Sequence, residues 1–163
     1  MKKIGIFYGS TTGNTAYVAS KVAEALGVES KDVHDVANTA PSALGDYDVI
    51  LLGCSTWGEG ELQSDFADFI DGIEQLSLTG KKIAIFGCGD ETMGRTFGAA
   101  LGEIYRRMQH TGATFIAPGD ADGFDNNAEA EKVDGKYVGM LIDETNHPEL
   151  TDAKIKAWAK EIL

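Results

Sequence analysis

The chain has 163 residues, of which 43% are hydrophobic and 25% are charged, and its formal net charge is −12 at pH 7. This length and composition predict a single globular domain over residues 1–163. No stretch approaches the roughly 20 apolar residues of a membrane span, and the apolar run at the N-terminus is too short for a signal peptide. We therefore expect an unprocessed, cytoplasmic monomer with no membrane partner.

The acidic charge also bears on partners. Nucleic acid is disfavoured, because phosphate backbones are bound by clustered Lys and Arg. The charge either serves solubility alone or forms an acidic face that steers a basic protein partner.

Short apolar runs alternate with longer amphipathic stretches along the chain. The apolar runs predict strands at Lys3–Tyr8, Glu29–Val33, Asp48–Cys54, Lys82–Gly87 and Ala113–Ala117. The amphipathic stretches predict helices at Asn14–Leu26, Leu62–Ile73, Thr96–His110 and Ala153–Leu163. Thr151 is the predicted N-cap of the last helix. The alternation predicts an α/β fold: a doubly wound, five-stranded parallel sheet of order 2-1-3-4-5 with helices on both faces.

One segment interrupts this alternation. Gly119–Gly135 is polar and carries Asp-Gly and Asn-Asn turn signals, and an apolar run resumes at Tyr137–Ile142. We interpret the segment as an inserted loop that splits the fifth strand, and a loop this long in a compact domain is usually functional or mobile.

The first candidate site follows the first strand. Ligands of such sheets bind beyond the carboxyl ends of the strands at the switch point, here between strands one and three. The loop Ser10-Thr11-Thr12-Gly13-Asn14-Thr15 places hydroxyls where the first N–H groups of a helix have no partner, which favours an anion. It holds no Lys or Arg and no Gly-x-Gly-x-x-Gly, which argues against a triphosphate or a dinucleotide and for a single phosphoryl group. The alternative is a hydroxyl-rich helix cap that binds nothing.

The second loop follows the third strand and contains Ser55, Thr56, Trp57, Gly58 and Gly60. A Trp at the mouth of a parallel sheet is suited to form a wall against a flat aromatic ligand. The alternative is a surface Trp that covers a helix end. Gly58 takes a positive φ at little cost, so its peptide unit can turn over.

The third loop follows the fourth strand. Gly87 and Gly89 flank Cys88 and permit close approach of the backbone to a planar ring, with Asp90 next in the chain. Met93 is a polarizable candidate for the ring's other face, or else a partly exposed loop residue. Cys54 and Cys88 show no metal-ligand spacing, so we expect two buried thiols and no metal site.

Four segments in this order make the chain similar to the flavodoxins of the long-chain type, over essentially its whole length. They are Ser10–Thr15, then Thr56-Trp57-Gly58 with Gly60-Glu61-Leu62-Gln63, then Gly87-Cys88-Gly89-Asp90, and finally Val133–Gly139 after the inserted loop. The inserted loop in strand five distinguishes long-chain from short-chain members.

The resemblance implies a low-potential one-electron carrier that uses non-covalently bound FMN (semiquinone/hydroquinone couple) between reductases and acceptor redox proteins. It also implies that Trp57 covers one face of the flavin. Met93 stands where the family usually has Tyr, and Thr145 stands where relatives often carry an acid. The implied cofactor-binding residues are Ser10, Thr11, Thr12, Gly13, Asn14, Thr15, Ser55, Thr56, Trp57, Gly58, Gly60, Cys88, Gly89, Asp90, Met93, Phe97 and Thr145.

From this resemblance we hypothesise that the peptide after Trp57 flips on reduction, so that the Gly58 carbonyl oxygen accepts a hydrogen bond from the N–H formed at flavin N5. No nucleophile–base pair is visible, which favours a carrier over a catalyst. The alternatives are a flavodoxin-like NAD(P)H:quinone oxidoreductase and a flavin-free binding module.

Overall fold

The computed structural model describes residues 2–11, 13–57, 61–89, 99–119, 132–133 and 136–163, with only the backbone of Trp57, Glu61, Lys132 and Val133. The strands there are β1 (Ile4–Gly9), β2 (Val33–Asp35), β3 (Val49–Trp57), β4 (Glu61–Leu62), β5 (Lys82–Cys88), β6 (Thr114–Phe115), β7 (Lys132–Val133), β8 (Lys136–Tyr137) and β9 (Met140–Ile142). The α-helices there are α1 (Asn14–Leu26), α2 (Ser64–Ile73), α3 (Ala99–Met108) and α4 (Thr151–Ile162). None of the helices in this part of the chain is long and apolar enough to cross a bilayer.

The sheet is open, and its main strands are parallel. β2, β1, β3 and β5 lie side by side in that order, and β6 and β9 both pair with the outer side of β5. The predicted order 2-1-3-4-5 is therefore confirmed, with β5 in the fourth position. The connections that follow β1 and β3 leave in opposite directions, so right-handed crossovers place α1 and α2 on opposite faces of the sheet.

The two faces of the sheet carry separate hydrophobic layers. α1 and α4 cover one face, where Val22 and Trp158 pack with Leu51 of β3. α2 and α3 cover the other face, where Ile70 packs with Leu52 of β3. Because successive residues of β3 enter different layers, both sides of the strand are buried, which explains its continuous apolar run.

The fifth position of the sheet is filled by two segments of chain. β6 pairs with β5 at Lys82 and Ile83, and β9 pairs with the same strand at Phe86 to Cys88. The predicted split of strand five is confirmed. The chain is tightly packed beside the split, because a Cβ on Gly139 would lie 2.2 Å from the Ile85 carbonyl oxygen.

The predicted position of the second strand is wrong. Ser30–Asp32 form a 3₁₀ turn, and the strand that pairs with β1 is Val33–Asp35. The His34 ring stacks on Phe7 with centroids 4.8 Å apart and forms a 2.7 Å hydrogen bond with the Tyr47 hydroxyl. These contacts hold the polar segment Val33–Asp35 in the sheet, a position that its low hydrophobicity did not lead us to predict.

Thr151 is not the N-cap of the last helix, contrary to prediction. A 3₁₀ turn at Pro148–Leu150 runs directly into α4, and Leu150 occupies the cap position. Thr151 already has helical angles (φ −58°, ψ −52°) and is buried, so its side chain is not in the cap geometry.

Candidate functional site

The predicted loops meet at the carboxyl edge of the sheet. Gly9 of β1 pairs with Cys54 of β3, and Ser55 pairs with Cys88 of β5, so three strands end side by side. The connections after β1 and β3 diverge here to opposite faces. The edge is therefore the switch point at which open α/β sheets bind ligands.

α1 begins at this edge with an open N-terminus. Gly13 precedes it in the left-handed region (φ 97°) and has no side chain with which to cap the first turn. The Gly13 N–H donates to Ser10 Oγ at 3.1 Å, which closes the loop on itself. The first turn carries no acidic residue, so the N–H groups and the helix dipole favour an anion there. Ser10, Thr11, Gly13 and Asn14 lie at this end of the helix, while Thr12 lies outside the described residues.

Thr15 joins the first loop to the second. Its side chain is fully buried, and its hydroxyl forms a 2.7 Å hydrogen bond with Ser55 Oγ. Thr56 is also buried, and its hydroxyl accepts a hydrogen bond from the backbone N–H of Ala100 in α3 at 3.4 Å. The structure thus brings these residues together and packs the hydroxyls of Thr15 and Thr56 inward, against neighbouring elements.

The second loop is held by an antiparallel pair. Thr56 of β3 pairs with Leu62 of β4, and the backbones of Trp57 and Glu61 pair next to them. Gly58 and Gly60 lie outside the described residues. The predicted start of the next helix at Leu62 is wrong, because Leu62 belongs to β4 and α2 begins at Ser64.

The third loop leaves β5 through Cys88 and Gly89. The Gly89 N–H donates to the Ile142 carbonyl oxygen at 3.0 Å, which ties this loop to β9. Gly87 has a structural reason to lack a side chain, because its Cβ would lie 2.2 Å from Leu101 Cδ1. Asp90, Met93 and Phe97 lie outside the described residues.

Both cysteines are buried thiols, as predicted. Burial raises the pKa of Cys54 to about 12, and it raises the pKa of Cys88 to about 12. Both therefore stay protonated at neutral pH, and Cys88 contributes its backbone, not a thiolate, to this edge. Within the described residues, no cluster of His, Cys, Asp or Glu is suited to hold a metal ion.

A fourth loop follows β9 and lies beside the third. Asp143 is buried, and its Oδ1 accepts the backbone N–H groups of Thr145 at 3.0 Å and Asn146 at 2.9 Å. This turn leaves the Thr145 side chain exposed. Sequence reasoning missed Asp143, although an Asp directly after an apolar run is a common turn-forming signal.

Gln63 is the second residue that sequence reasoning missed. It is only 1% exposed, and its backbone N–H donates to the Ser55 carbonyl oxygen at 3.2 Å. Its side-chain Oε1 accepts the Phe66 N–H at 3.0 Å and so caps α2. Its Nε2 donates to Thr11 Oγ1 at 3.0 Å, which joins α2 to the first loop. Gln63 stood in a segment used for the resemblance, but its role as a link between loops is visible only in three dimensions.

Lys and Arg are unevenly distributed along the chain. Between Lys31 and Lys81 the sequence contains no Lys or Arg. The exposed side of α2, which begins at the site, carries Asp68, while Asp71 farther along the helix is paired with Arg107 of α3. At the opposite end, the neighbouring Lys2 lowers the pKa of Lys82 at the start of β5.

These features define a class of protein: a doubly wound α/β protein with an uncapped helix N-terminus at the switch point of its sheet. The sequence profile of the flavodoxin family matches residues 6–158. The chain belongs to the flavodoxin family, as its motifs indicated.

Individual relatives agree over nearly the whole chain. Flavodoxin 1 of Shigella flexneri is 41% identical over 97% of this chain and 91% of its own length, and a flavodoxin of Synechococcus elongatus is 37% identical over 99% and 96%. A crystal structure of Fusobacterium nucleatum flavodoxin bound to flavin mononucleotide superimposes with a TM-score of 0.89 at 26% identity, covering 99% of this chain and 97% of that one. These relatives favour an electron carrier over the quinone oxidoreductase alternative.

Proposed function

We propose that this protein is an electron-transfer protein, not an enzyme, and that it carries electrons on non-covalently bound FMN. The observation that carries the proposal is the open N-terminus of α1, where Gly13 leaves the first turn without a side-chain cap. A family member is itself described as bound to flavin mononucleotide, which supports the choice of cofactor.

The residues at this edge fit the phosphate of FMN. Its charge has to be met by N–H and O–H donors and by the helix dipole, because the loop contains no Lys or Arg. Ser10 and Thr11 supply hydroxyls beside the uncapped helix, and no carboxylate lies in the first turn to repel an anion. We assign the phosphate to Ser10, Thr11, Thr12, Gly13, Asn14 and Thr15, with Thr15 contributing its backbone N–H because its buried hydroxyl is bonded to Ser55.

We assign the ring of FMN to the second and third loops. The carboxyl ends of β3 and β5 lie side by side, with Ser55 paired to Cys88. The end of β3 also pairs with β4, and glycines flank Cys88 at the end of β5, so both loops start with their backbone at this edge of the sheet. The remaining contacts that we propose from the sequence are Ser55, Thr56, Trp57, Gly58, Gly60, Cys88, Gly89, Asp90, Met93, Phe97 and Thr145. Trp57 and Met93 would flank the two faces of the ring.

When bound, FMN supplies the redox chemistry, and the protein sets how readily electrons are accepted. The net charge of −12 opposes added negative charge at the site, so we propose one-electron transfer at low potential. The buried hydroxyls of Thr15 and Thr56 already have partners within the protein and serve to hold the loops, not to move protons.

Redox proteins are the partners of this function. We propose that the exposed acidic side of α2 near the site, at Asp68, docks a basic face of those partners, since complementary charge speeds encounter and orients the complex. The Lys residues at the opposite end of the sheet would turn that end away from the same partner. The net negative charge speaks against nucleic acid, and we propose a cytoplasmic monomer.

Titration of the apo-protein with FMN and with riboflavin tests the proposal. We expect tight binding of FMN and weaker binding of riboflavin, which has the ring but no phosphate. Equal affinity for both would contradict the phosphate site, and no uptake of either would contradict the function. Steady-state NADPH oxidation with a quinone is the companion assay, in which sustained turnover by the isolated protein would favour the oxidoreductase.

A further inference from the structure

Gln63 is a buried polar side chain that contacts the proposed phosphate loop from behind. It is 1% exposed, and its position is tightly defined, because a Cβ on Gly9 of β1 would lie 2.3 Å from Gln63 Oε1. A polar side chain with so little freedom and so many partners has a defined direction for every hydrogen bond.

The orientation of the Gln63 amide follows from its partners. The Phe66 N–H is a donor, so the atom that it contacts at 3.0 Å has to be the oxygen, Oε1. The other end is then the NH₂ group, whose two hydrogens reach Thr11 Oγ1 and Asp65 Oδ2, each at 3.0 Å. The acceptor at Asp65 agrees with this assignment, since a carboxylate accepts and does not donate.

This orientation fixes the role of the Thr11 hydroxyl. Thr11 Oγ1 accepts a hydrogen bond from Gln63, so the hydroxyl keeps its own hydrogen for another acceptor. Thr11 is exposed at the open end of α1, where an anion is the favoured ligand. A phosphate oxygen is an acceptor of this kind.

We propose that Gln63 is a positioning residue of the phosphate site: its amide makes the Thr11 hydroxyl a donor toward the phosphate. The proposal rests on FMN binding as the function of this edge. Gln63 acts through Thr11 and needs no contact with FMN. Its cap on α2 couples the shape of the phosphate loop to the helix that follows the second loop.

The variant Gln63→Glu tests this role, because it keeps the size of the side chain and replaces the NH₂ group with an acceptor. A carboxylate at this position accepts from the Thr11 hydroxyl, turns its hydrogen away from the phosphate, and repels Asp65. We expect the Kd for FMN to rise about tenfold or more, as for the loss of a hydrogen bond to a charged group. The Kd for riboflavin should stay within about twofold, because riboflavin has no phosphate to lose.

The difference between the two ligands separates positioning from general support of the fold. General damage to the site would raise the Kd for FMN and for riboflavin alike, and that result would overturn the proposal. A role limited to capping α2 would change neither Kd, because a carboxylate at position 63 still accepts the Phe66 N–H. An unchanged Kd for FMN would overturn it as well. The matched control is Gln75→Glu, the same change at an exposed glutamine whose amide donates to the Asp71 carbonyl oxygen at 2.8 Å. We expect it to leave both affinities unchanged.

Thr11→Val keeps the test decisive if Gln63→Glu does not fold. Thr11 is exposed, so removal of its hydroxyl should leave the fold intact. We expect this variant to bind FMN more weakly and to bind riboflavin as the wild type does. In the Thr11→Val background a Gln63→Glu change should have little further effect on FMN affinity. Full, additive losses from the two changes would assign the effect of Gln63→Glu to repulsion between the new carboxylate and the phosphate, and would contradict the link to Thr11. If the wild-type apo-protein takes up no FMN, the proposed function itself fails, whereas FMN binding that ignores both variants refutes only the role of Gln63.

Discussion

Two helices begin at the same edge of the sheet, and their first turns are built in opposite ways. α1 follows Gly13, which offers no side-chain cap, and no acidic residue lies in its first turn. α2 follows Gln63, whose Oε1 accepts the Phe66 N–H, and Asp65 lies in its first turn. The Phe66 N–H in the first turn of α2 is met within the protein, whereas no side chain caps the first turn of α1.

The difference shows that a helix N-terminus is not by itself a binding site. Both helices have the same dipole, yet Gln63 and Asp65 satisfy it at α2 and leave no use for an external anion. At α1 the same dipole is unopposed, and hydroxyl groups replace carboxylates around it. A few side chains therefore decide which of the two helices favours an anion at its N-terminus, and substitution of these side chains should change that preference.

We expect the largest change in FMN affinity when the first turn of α1 receives an acidic residue like Asp65 of α2. Asn14→Asp places a carboxylate in the first turn of α1, next to the proposed phosphate. We expect FMN binding to weaken by about 2 kcal/mol, or about thirtyfold, through charge repulsion in a partly shielded site. The apo-protein should instead become more stable by about 0.5 kcal/mol, because an acid favours a helix N-terminus.

These opposite signs are the signature of an anion site, and isothermal titration with FMN and urea unfolding of the apo-protein measure them. Ser20→Asp, on the exposed side of the same helix, controls for the change in net charge. A parallel loss of affinity in both variants would attribute the effect to overall charge and not to the helix N-terminus.

A smaller effect should come from the backbone of the open cap. Gly13 and Gly27 flank α1, both have positive φ (97° and 71°), and no described atom lies within 4 Å of a Cβ at either position. Gly13→Ala and Gly27→Ala therefore introduce strain without collision and should each cost about 1–2 kcal/mol of stability. Only Gly13→Ala should weaken FMN binding. Equal losses of FMN affinity would show that helix stability, and not the shape of the cap, controls binding.

Much of the fold was predictable because it depends on local patterns. The helix at Asn14–Leu26 has the predicted bounds, and the split strand was visible as one polar segment between two apolar runs. Burial on both faces leaves a periodic or continuous signal that one sequence is enough to show. The second strand failed this test, since His34 is held by a ring contact and a hydrogen bond and not by an apolar run.

The site was predictable only where one loop carries the chemistry. The run of hydroxyl residues around Gly13 indicates an anion site from the sequence of one loop alone. The role of Gln63 could not be predicted in this way, because its hydrogen bond to Thr11 joins residues 52 positions apart and leaves no periodic pattern in the sequence. The reason for Gly87 is of the same kind, since it depends on Leu101 of a distant helix. Contacts between loops decide these roles, and a sequence read alone gives no distances between loops.

The C-terminal end of α2 extends the comparison with α1, and it is where we predict the smallest effect of a substitution. Asp71 and Glu74 lie near the C-terminus of α2, where the dipole disfavours acids, and Arg107 of α3 compensates them with bonds of 2.5 Å and 2.7 Å. α2 is thus held by side chains at both ends, as α1 is not. The hydrogen bond from Arg107 lowers the pKa of Glu74 in the folded protein.

A lowered folded-state pKa means that this contribution to stability is present above the unfolded pKa of Glu and is lost as the pH falls through the folded value. We therefore expect Glu74→Gln to lower the urea midpoint at pH 7 and to make a smaller difference at a second, acid pH, because Glu74 becomes protonated in both states as the pH falls through its lowered folded-state pKa. FMN affinity should not change, because this end of α2 is distant from the site. A midpoint that shifts equally at both pH values would assign the effect to packing and not to the ion pair with Arg107.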